Sequence, residues 1–529
     1  RAPRCPRADA PSAAMVEGAG AEPAGEGGHQ ATCDVEGEAH DAFVFLFIAL
    51  LVGTMITHCT TLPIFHRVQP TVVIFLLGMT YSLVQEVFEL YSWTGPMGTS
   101  YCMWMSINPH VLLFGMLPAL ITGDAMQIDT SVARQVAKQC LYLAGPGVLF
   151  CALATGLFLW VYLPYQWSFW LCLTMGAILA ATDPVAVVCL LKELGAAPCL
   201  TVQIQGESLL NDGTSIVLYS VAYDILSGGV WDIHDTIFFL LKVVAGAVVL
   251  GVGVGWISVT WLRWSCKRLE HQSGLVQISI TLCCAYWSFI AAEGFLGVSG
   301  VLSTVCSALV LADKMWPLIV SIDAMNHAWH MFEHVGNIVV FFLAGALTGN
   351  VMARIPPYDY LHLIVIYIAC MIIRFFMLLL SLPILRALHK DPDSVTLADM
   401  TVMCWGGLRG AVGLCLAIQV SIDRAGMTLA PSEGQRVLFY TSGVAALTLL
   451  VNANTCPALV NWLGVASASA TKLRVMLAMH KQLERVARAR SDNLMLDDIK
   501  SKRRSTKTLG HLSSAVALLI TDMVRDVEH

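Results

Sequence analysis

Long apolar stretches recur along this chain, separated by short polar breaks, and each is about the length of a membrane crossing. A helix needs about 20 apolar residues to span the bilayer core. Such stretches lie near residues 43–63, 70–90, 108–123, 139–163, 167–191, 203–226 and 233–262. Six more follow near 275–292, 295–313, 326–350, 358–386, 398–420 and 436–462. The pattern predicts an all-α polytopic membrane protein with about 13 transmembrane helices. Residues 1–41, rich in Ala, Gly, Pro and acid, read as a disordered acidic N-terminal tail, and 42–463 as the transmembrane domain. The segment 464–529 reads as a cytosolic basic helical tail. Within it, 471–490 forms a basic amphipathic pattern suited to anionic lipid or a regulatory protein. The sequence stops at His529 with no clear ending, and a longer regulatory tail is expected.

Charge placement supports the count. With the C-terminus in the cytosol, thirteen spans put the N-terminus outside. The short inside loops then carry Arg67, Arg134, Lys138, Lys192, Arg263, Lys267, Arg268, Lys314, Arg386 and Lys390. The outside loops carry only Arg354, Arg424 and Arg436, so ten basic residues stand against three. That is the positive-inside asymmetry, and a miscounted helix scrambles it.

Composition excludes a soluble protein. Of 529 residues, 57% are hydrophobic and only 13% charged, about half the usual share. The mean hydropathy is +0.69. A net charge of −6 gives no reason to expect a nucleic-acid partner. The seventeen cysteines mostly sit inside apolar runs and read as packing residues, with no zinc-type spacing. Cys102, in an exterior loop, is the candidate for pairing, although no partner is evident. No metalloprotease, P-loop or nucleophile-elbow pattern is present, and neither enzymatic activity nor a cofactor is expected. Gly251, Gly253 and Gly255 lie in an apolar span and indicate close helix packing.

Ionisable residues inside spans are costly, so a functional role is their default reading. The basic ones are Lys242, Arg374 and Arg409. The fifth span holds Ala181-Thr182-Asp183-Pro184; proline breaks the helix beside Asp183 and frees carbonyls that can face a cation. The sixth holds Gly206-Glu207-Ser208-Leu209-Leu210-Asn211-Asp212-Gly213-Thr214. There Glu207 and Asn211 share one face, and Ser208 and Asp212 share one too. Oxygen ligands of this kind suit a hard monovalent cation. A carboxylate in a desolvated cavity holds a proton or a cation but not both, and that competition alone couples two fluxes. Arg374 needs a buried partner, for which Glu207 and Glu333 are available and Glu207 is preferred. Arg409 sits in Trp405-Gly406-Gly407-Leu408-Arg409-Gly410-Ala411, whose glycines predict a second broken helix. If spans 1–6 and 8–13 are inverted repeats, the two breaks occupy corresponding positions, the signature of a midplane ion site.

The runs Ala181-Thr182-Asp183-Pro184-Val185-Ala186-Val187-Val188 and Gly206-Glu207-Ser208-Leu209-Leu210-Asn211-Asp212-Gly213, with Gly406-Gly407-Leu408-Arg409-Gly410-Ala411, resemble those of the monovalent cation/proton antiporter family of sodium/proton exchangers. The resemblance covers roughly residues 45–465. Leu190-Leu191-Lys192-Glu193-Leu194-Gly195 is similar to the plant plasma-membrane and sperm-type branch. This resemblance implies a thirteen-helix fold, a homodimer and an elevator-like cycle. It implies Asp212 as the acid that binds Na+ (or K+) and H+, with Asn211, Asp183, Thr182 and Ser208 around it. Glu207, Arg374, Arg409, Glu333 and Pro184 become supports. The Asn-Asp pair resembles the electroneutral branch, giving one-for-one exchange that regulates cytosolic pH and Na+. A multi-pass protein of the plasma membrane, rather than an organelle, is the expected location. A cation channel or uniporter using the same acids is the alternative, and a membrane enzyme a poorer third.

Overall fold

The computed structural model describes residues 39–60, 70–90, 93–107, 109–229, 233–265, 273–388, 395–465 and 477–486. The chain first forms α1 (Ala39–Thr60), α2 (Pro70–Val87), a short α3 (Pro96–Met105) and α4 (Pro109–Met126). Next come α5 (Thr130–Tyr142) and α6 (Val148–Tyr162), joined through a wide π turn at Leu143–Gly147. The interrupted pair α7 (Phe169–Ala180) and α8 (Val185–Glu193) leads to α9 (Pro198–Leu226) and α10 (Ile233–Trp264). Then follow α11 (Ser273–Ile290), extended by a π turn at Ala291–Leu296, and α12 (Gly300–Lys314). Beyond them lie α13 (Ile322–Met352), α14 (Pro357–Leu388) and the second interrupted pair, α15 (Leu397–Trp405) and α16 (Ala411–Met427). Finally α17 (Pro431–Leu447) continues through Thr448–Ala453 into α18 (Asn454–Leu463).

Among the described residues, leaving out the ten-residue α3 and counting each joined or interrupted pair as one pass gives thirteen crossings, matching the thirteen apolar stretches. Among the described residues, eight helices are long and apolar enough to cross a membrane by length and composition. The passes that fall short are α4, α9, α12 and the two interrupted ones. They are shorter, broken or more polar, and four of these five passes line the cavity described below. The basic tail helix is described only over 477–486, and the acidic tail before residue 39 lies outside the described residues.

The helices group into two halves. One contains α1–α4 and α10–α13, and its tightest seam is α2 against α13. Glycines permit that contact: a Cβ at Gly78 would sit 2.2 Å from the Phe342 carbonyl oxygen, and one at Gly345 2.1 Å from that of Phe75. Gly251 plays the same part between α10 and α12, where a Cβ would sit 2.2 Å from the Ser303 carbonyl oxygen. The second half contains α5–α9 and α14–α18. Its α6–α7 seam closes at Gly176, whose added Cβ would lie 2.4 Å from the Ala152 carbonyl oxygen. Asp359, fully buried in the first turn of α14, ties one end of this half together. It accepts from Arg436 Nε (3.2 Å), from the Tyr440 hydroxyl (3.2 Å) and from the Tyr165 hydroxyl.

α3 is a helix that the hydropathy pattern missed, because ten residues with few aliphatics give no span signal. Pro96 starts it at a position where the missing N–H costs nothing. Phe45 N donates to Ser100 Oγ (2.9 Å) and Trp104 Nε1 to the Ala42 carbonyl (2.7 Å), which seats α3 against α1. Cys102 in α3 is disulfide-bonded. The other cysteines among the described residues are free, so its partner lies outside them.

Candidate functional site

Two interrupted passes cross in the middle of the second half. α7 ends at Ala180 because Pro184 cannot donate to a continuing helix; Ala181 is extended and Pro184 already turns into α8. The matching segment is 406–410. The two meet antiparallel: Asp183 N donates to the Leu408 carbonyl at 2.8 Å. Glycine makes this approach possible. A Cβ at Gly410 would lie 2.3 Å from Asp183 Cβ, one at Gly407 2.6 Å from Arg374 Nε, and one at Gly406 2.9 Å from Val187 Cγ1. Gly410→Ala is therefore expected to destabilise the fold by about 1–3 kcal/mol or more. A lowered melting temperature in detergent checks this.

Together the two broken passes leave four helix ends facing one another near the midplane, and charged side chains complement them. Arg409 Nη1 donates to the Ala181 carbonyl just past the end of α7 (3.0 Å), and its backbone N donates to Thr448 Oγ1 (3.2 Å). Arg374 Nε and Nη2 reach the Met403 carbonyl near the end of α15 (3.4 and 3.3 Å). Thus each guanidinium covers the negative end of one half-helix. Asp183 stands where α8 and α16 begin, beside their positive ends. Arg374 Nη2 also lies 2.9 Å from Glu207 Oε1, with both side chains buried. Glu333 is not that partner: it accepts from Gln127 Nε2 (2.9 Å) and lies 3.7 Å from His330 Nδ1.

A cavity of about 280 Å³ descends to this crossing from the face carrying loops 127–129, 194–197 and 315–321. Asp212, Thr182, Asp183, Pro184 and Ser208 line one side, with Gly410–Gly413. Asp124, Gln127, His330 and Glu333, from the other half, line the opposite side. Asp212 is half-buried in the wall. Among the described residues, no donor stands within hydrogen-bonding distance of its carboxylate. The neighbouring polar groups are satisfied differently. Ser208 Oγ donates to the Thr182 carbonyl, Asn211 Nδ2 donates to Thr182 Oγ1 (2.8 Å), and Ser215 Oγ donates to Asn211 Oδ1 (3.2 Å). Asn211 is fully buried behind Thr182, away from the cavity lining. It holds the broken segment in place, while Ser208 and Asp212 face the open space.

One acid here escaped the sequence reading. Asp124, at the polar end of α4, lies within electrostatic reach of Glu333, Asp183, Asp212 and Lys192. Gln205 Nε2 donates to its backbone carbonyl at 2.9 Å, fixing this end of α4 against α9. Its signal was weak: a single acid just past the end of the third apolar stretch. Lys192, at the end of α8, places a cation at the cavity mouth.

Comparison with known proteins identifies the frame. The transmembrane sodium/hydrogen exchanger family matches residues 46–462. The chain belongs to the sodium/hydrogen exchanger family. The exchanger is 30% identical over 486 residues to sodium/hydrogen exchanger 8 of Arabidopsis thaliana, covering 90% of this chain and 62% of that protein. It is 28% identical over 429 residues to the low-affinity Na+/H+ antiporter NhaS1 of Synechocystis, covering 78% and 72% of the two chains. The exchanger thus spans less than two thirds of the plant relative's length. Its fold is also that of the sodium proton antiporter MjNhaP1 from Methanocaldococcus jannaschii. That structure superposes with a TM-score of 0.60 at 18% identity, covering 81% of this exchanger and 99% of that chain. The channel reading finds no support among these relatives.

Proposed function

We propose that the protein exchanges Na+ for H+ across a membrane, with Asp212 as the group that carries either ion. The observation that carries this reading is the Asp212 carboxylate: facing a one-sided cavity, without a protein donor among the described residues, and beside a broken-helix crossing. A carboxylate with no fixed partner exchanges ligands freely, and its single negative charge holds one proton or one monovalent cation. Asp183 and the Thr182 carbonyl stand next to it as further oxygen ligands, while Asn211, Glu207, Arg374 and Arg409 keep the crossing rigid. Asp124 and Glu333 line the route from the cavity mouth. One titrating acid per cycle makes the exchange one-for-one and electroneutral.

Two observations support a cytosolic cavity. The loops and helix ends on the cavity face carry Arg134, Lys138, Lys192 and Lys314, as positive-inside topology expects. α3, with its disulfide-bonded Cys102, lies on the other face, and disulfides persist in oxidising compartments. The segment after Leu463 leaves from the cavity face and is then cytosolic. A plasma-membrane location, a homodimer and a lipid- or protein-binding basic tail belong to the same reading.

Reconstitution of the chain into liposomes loaded with a pH dye, at zero membrane voltage, tests the proposal. An outward-directed proton gradient dissipated on adding Na+, and reversing when the Na+ gradient is reversed, is the expected result. An ion series of Na+, K+ and Li+ names the substrate. Cation flux without proton movement overturns the exchange reading.

A further inference from the structure

The mouth of the Asp212 cavity holds a positive charge that the exchange reading leaves without a role. α8 runs from the first break toward the loop at 194–197, and Pro184, Val188 and Lys192 follow one another along it at four-residue intervals. All three line the cavity, so one face of α8 forms a wall that ends in an ammonium group. Lys192 is exposed, about 12 Å along the helix axis from the break beside Asp183.

The acids that attract it stand on the opposite wall. Asp124, near the end of α4, and Glu333, on α13, both lie within electrostatic reach of Lys192. Among the described residues no cation reaches Asp212 itself. Asp124 and Glu333 belong to the first half of the fold and Lys192 to the second, so the attraction spans the cavity from one half to the other. Two other cations of this face are committed elsewhere: Arg134 pairs with Asp313, and Lys314 Nζ lies 3.0 Å from the same carboxylate. Lys192 differs from them. Among the described residues it forms no ion pair at contact distance and is held by no single acid. Its flexible four-carbon stem lets the charge move between carboxylates. A cation entering from this side meets Asp124 and Glu333 on its way to Asp212. An ammonium already drawn to those two acids cancels part of their pull and repels the newcomer.

We propose that Lys192 is a tethered competitor for the entering cation, setting how weakly Na+ binds from the cavity side. Na+ takes the place of the ammonium beside Asp124 and Glu333 before it passes to Asp212. The inference rests on the exchange reading and concerns entry from one face. Lys192 is thus a positioning residue, acting through the two mouth acids rather than at Asp212.

The test uses the full chain in vesicles of defined orientation, with Na+ varied on one face at a time. Lys192→Gln removes the charge, and Lys192→Arg keeps it. In Lys192→Gln the apparent KM for Na+ at the cavity face is expected to fall about three- to tenfold, the scale of one charge acting across a hydrated cavity. The KM at the other face and the maximal rate stay unchanged, and Lys192→Arg stays close to the native chain. Raising the ionic strength to about 0.5 M with choline chloride shrinks the gap between the native chain and Lys192→Gln, because salt screens charge and not shape. Four results overturn the competitor: a cavity-face KM unaltered or raised in Lys192→Gln, KM values that shift together on both faces, Lys192→Arg matching Lys192→Gln, or a gap that survives the added salt. Failure of the exchange reading looks different, because Na+ then drives no proton flux in the unsubstituted protein.

Discussion

Asp212→Asn is expected to abolish Na+-driven proton flux while leaving the protein folded. The amide matches the carboxylate in shape but can neither take up a proton nor neutralise a bound cation. Because the Asp212 carboxylate makes no hydrogen bond among the described residues, the exchange to Asn breaks no internal contact. The melting temperature in detergent should therefore change little. Transport, by contrast, should fall at least about 100-fold, equivalent to about 2.7 kcal/mol or more in the barrier. Proteoliposomes loaded with a pH dye report the flux, and scanning fluorimetry reports the fold. Asp212→Glu keeps the charge in a cavity of about 280 Å³ and should retain measurable exchange with an altered preference among Na+, Li+ and K+. Normal transport by Asp212→Asn would pass the role to Asp183 or Asp124, the nearest other acids on the cavity wall.

The second large effect concerns stability. Removing one member of the buried Arg374–Glu207 pair leaves the other charge without its partner in a low-dielectric interior. Glu207→Gln or Arg374→Ala is expected to cost about 3–5 kcal/mol. Arg374→Ala carries a further loss, since the same guanidinium covers the Met403 carbonyl near the end of α15. Replacing both members by uncharged residues of similar volume should recover much of the deficit, because no orphan charge then remains. Thermal unfolding of the two single variants and the double variant, compared as a cycle, measures the coupling. A double variant whose loss equals the sum of the two single losses would show that the side chains are uncoupled.

Much of this architecture was legible in the chain because the bilayer reduces the problem to length and polarity. All thirteen passes announced themselves as apolar stretches, and the first break followed from proline at 184. For Arg374 two acids were available and Glu207 was preferred, and Glu207 is the one in contact. What stayed hidden depended on contacts between distant segments. Asp124 looks like an acid near a helix end; only the packing of α4 against α9 brings it opposite Asp212. Helical periodicity put Ser208 and Asp212 on one face, but it could not tell that the Asn211 amide donates to Thr182. α3 escaped because a helix lying at the surface needs no long apolar run. The crossing itself was readable only in outline. Three glycines imply close approach, yet not that Asp183 and Arg374 are what they approach.

The glycines inside each half have a mechanical consequence. Where Gly78, Gly345, Gly251 and Gly176 sit, neighbouring backbones touch with no side chain between them, so sliding one helix past the other forces backbone atoms together. The boundary between the halves is built otherwise. Gly213 meets the Leu302 side chain, with an added Cβ at 3.3 Å, and an exposed Arg134–Asp313 ion pair links α5 to α12. Side chains change rotamer and exposed ion pairs reform at small cost, so the interlocked seams resist shear while this boundary yields. Any large displacement is thereby channelled onto one surface, the one that contains the Asp212 cavity.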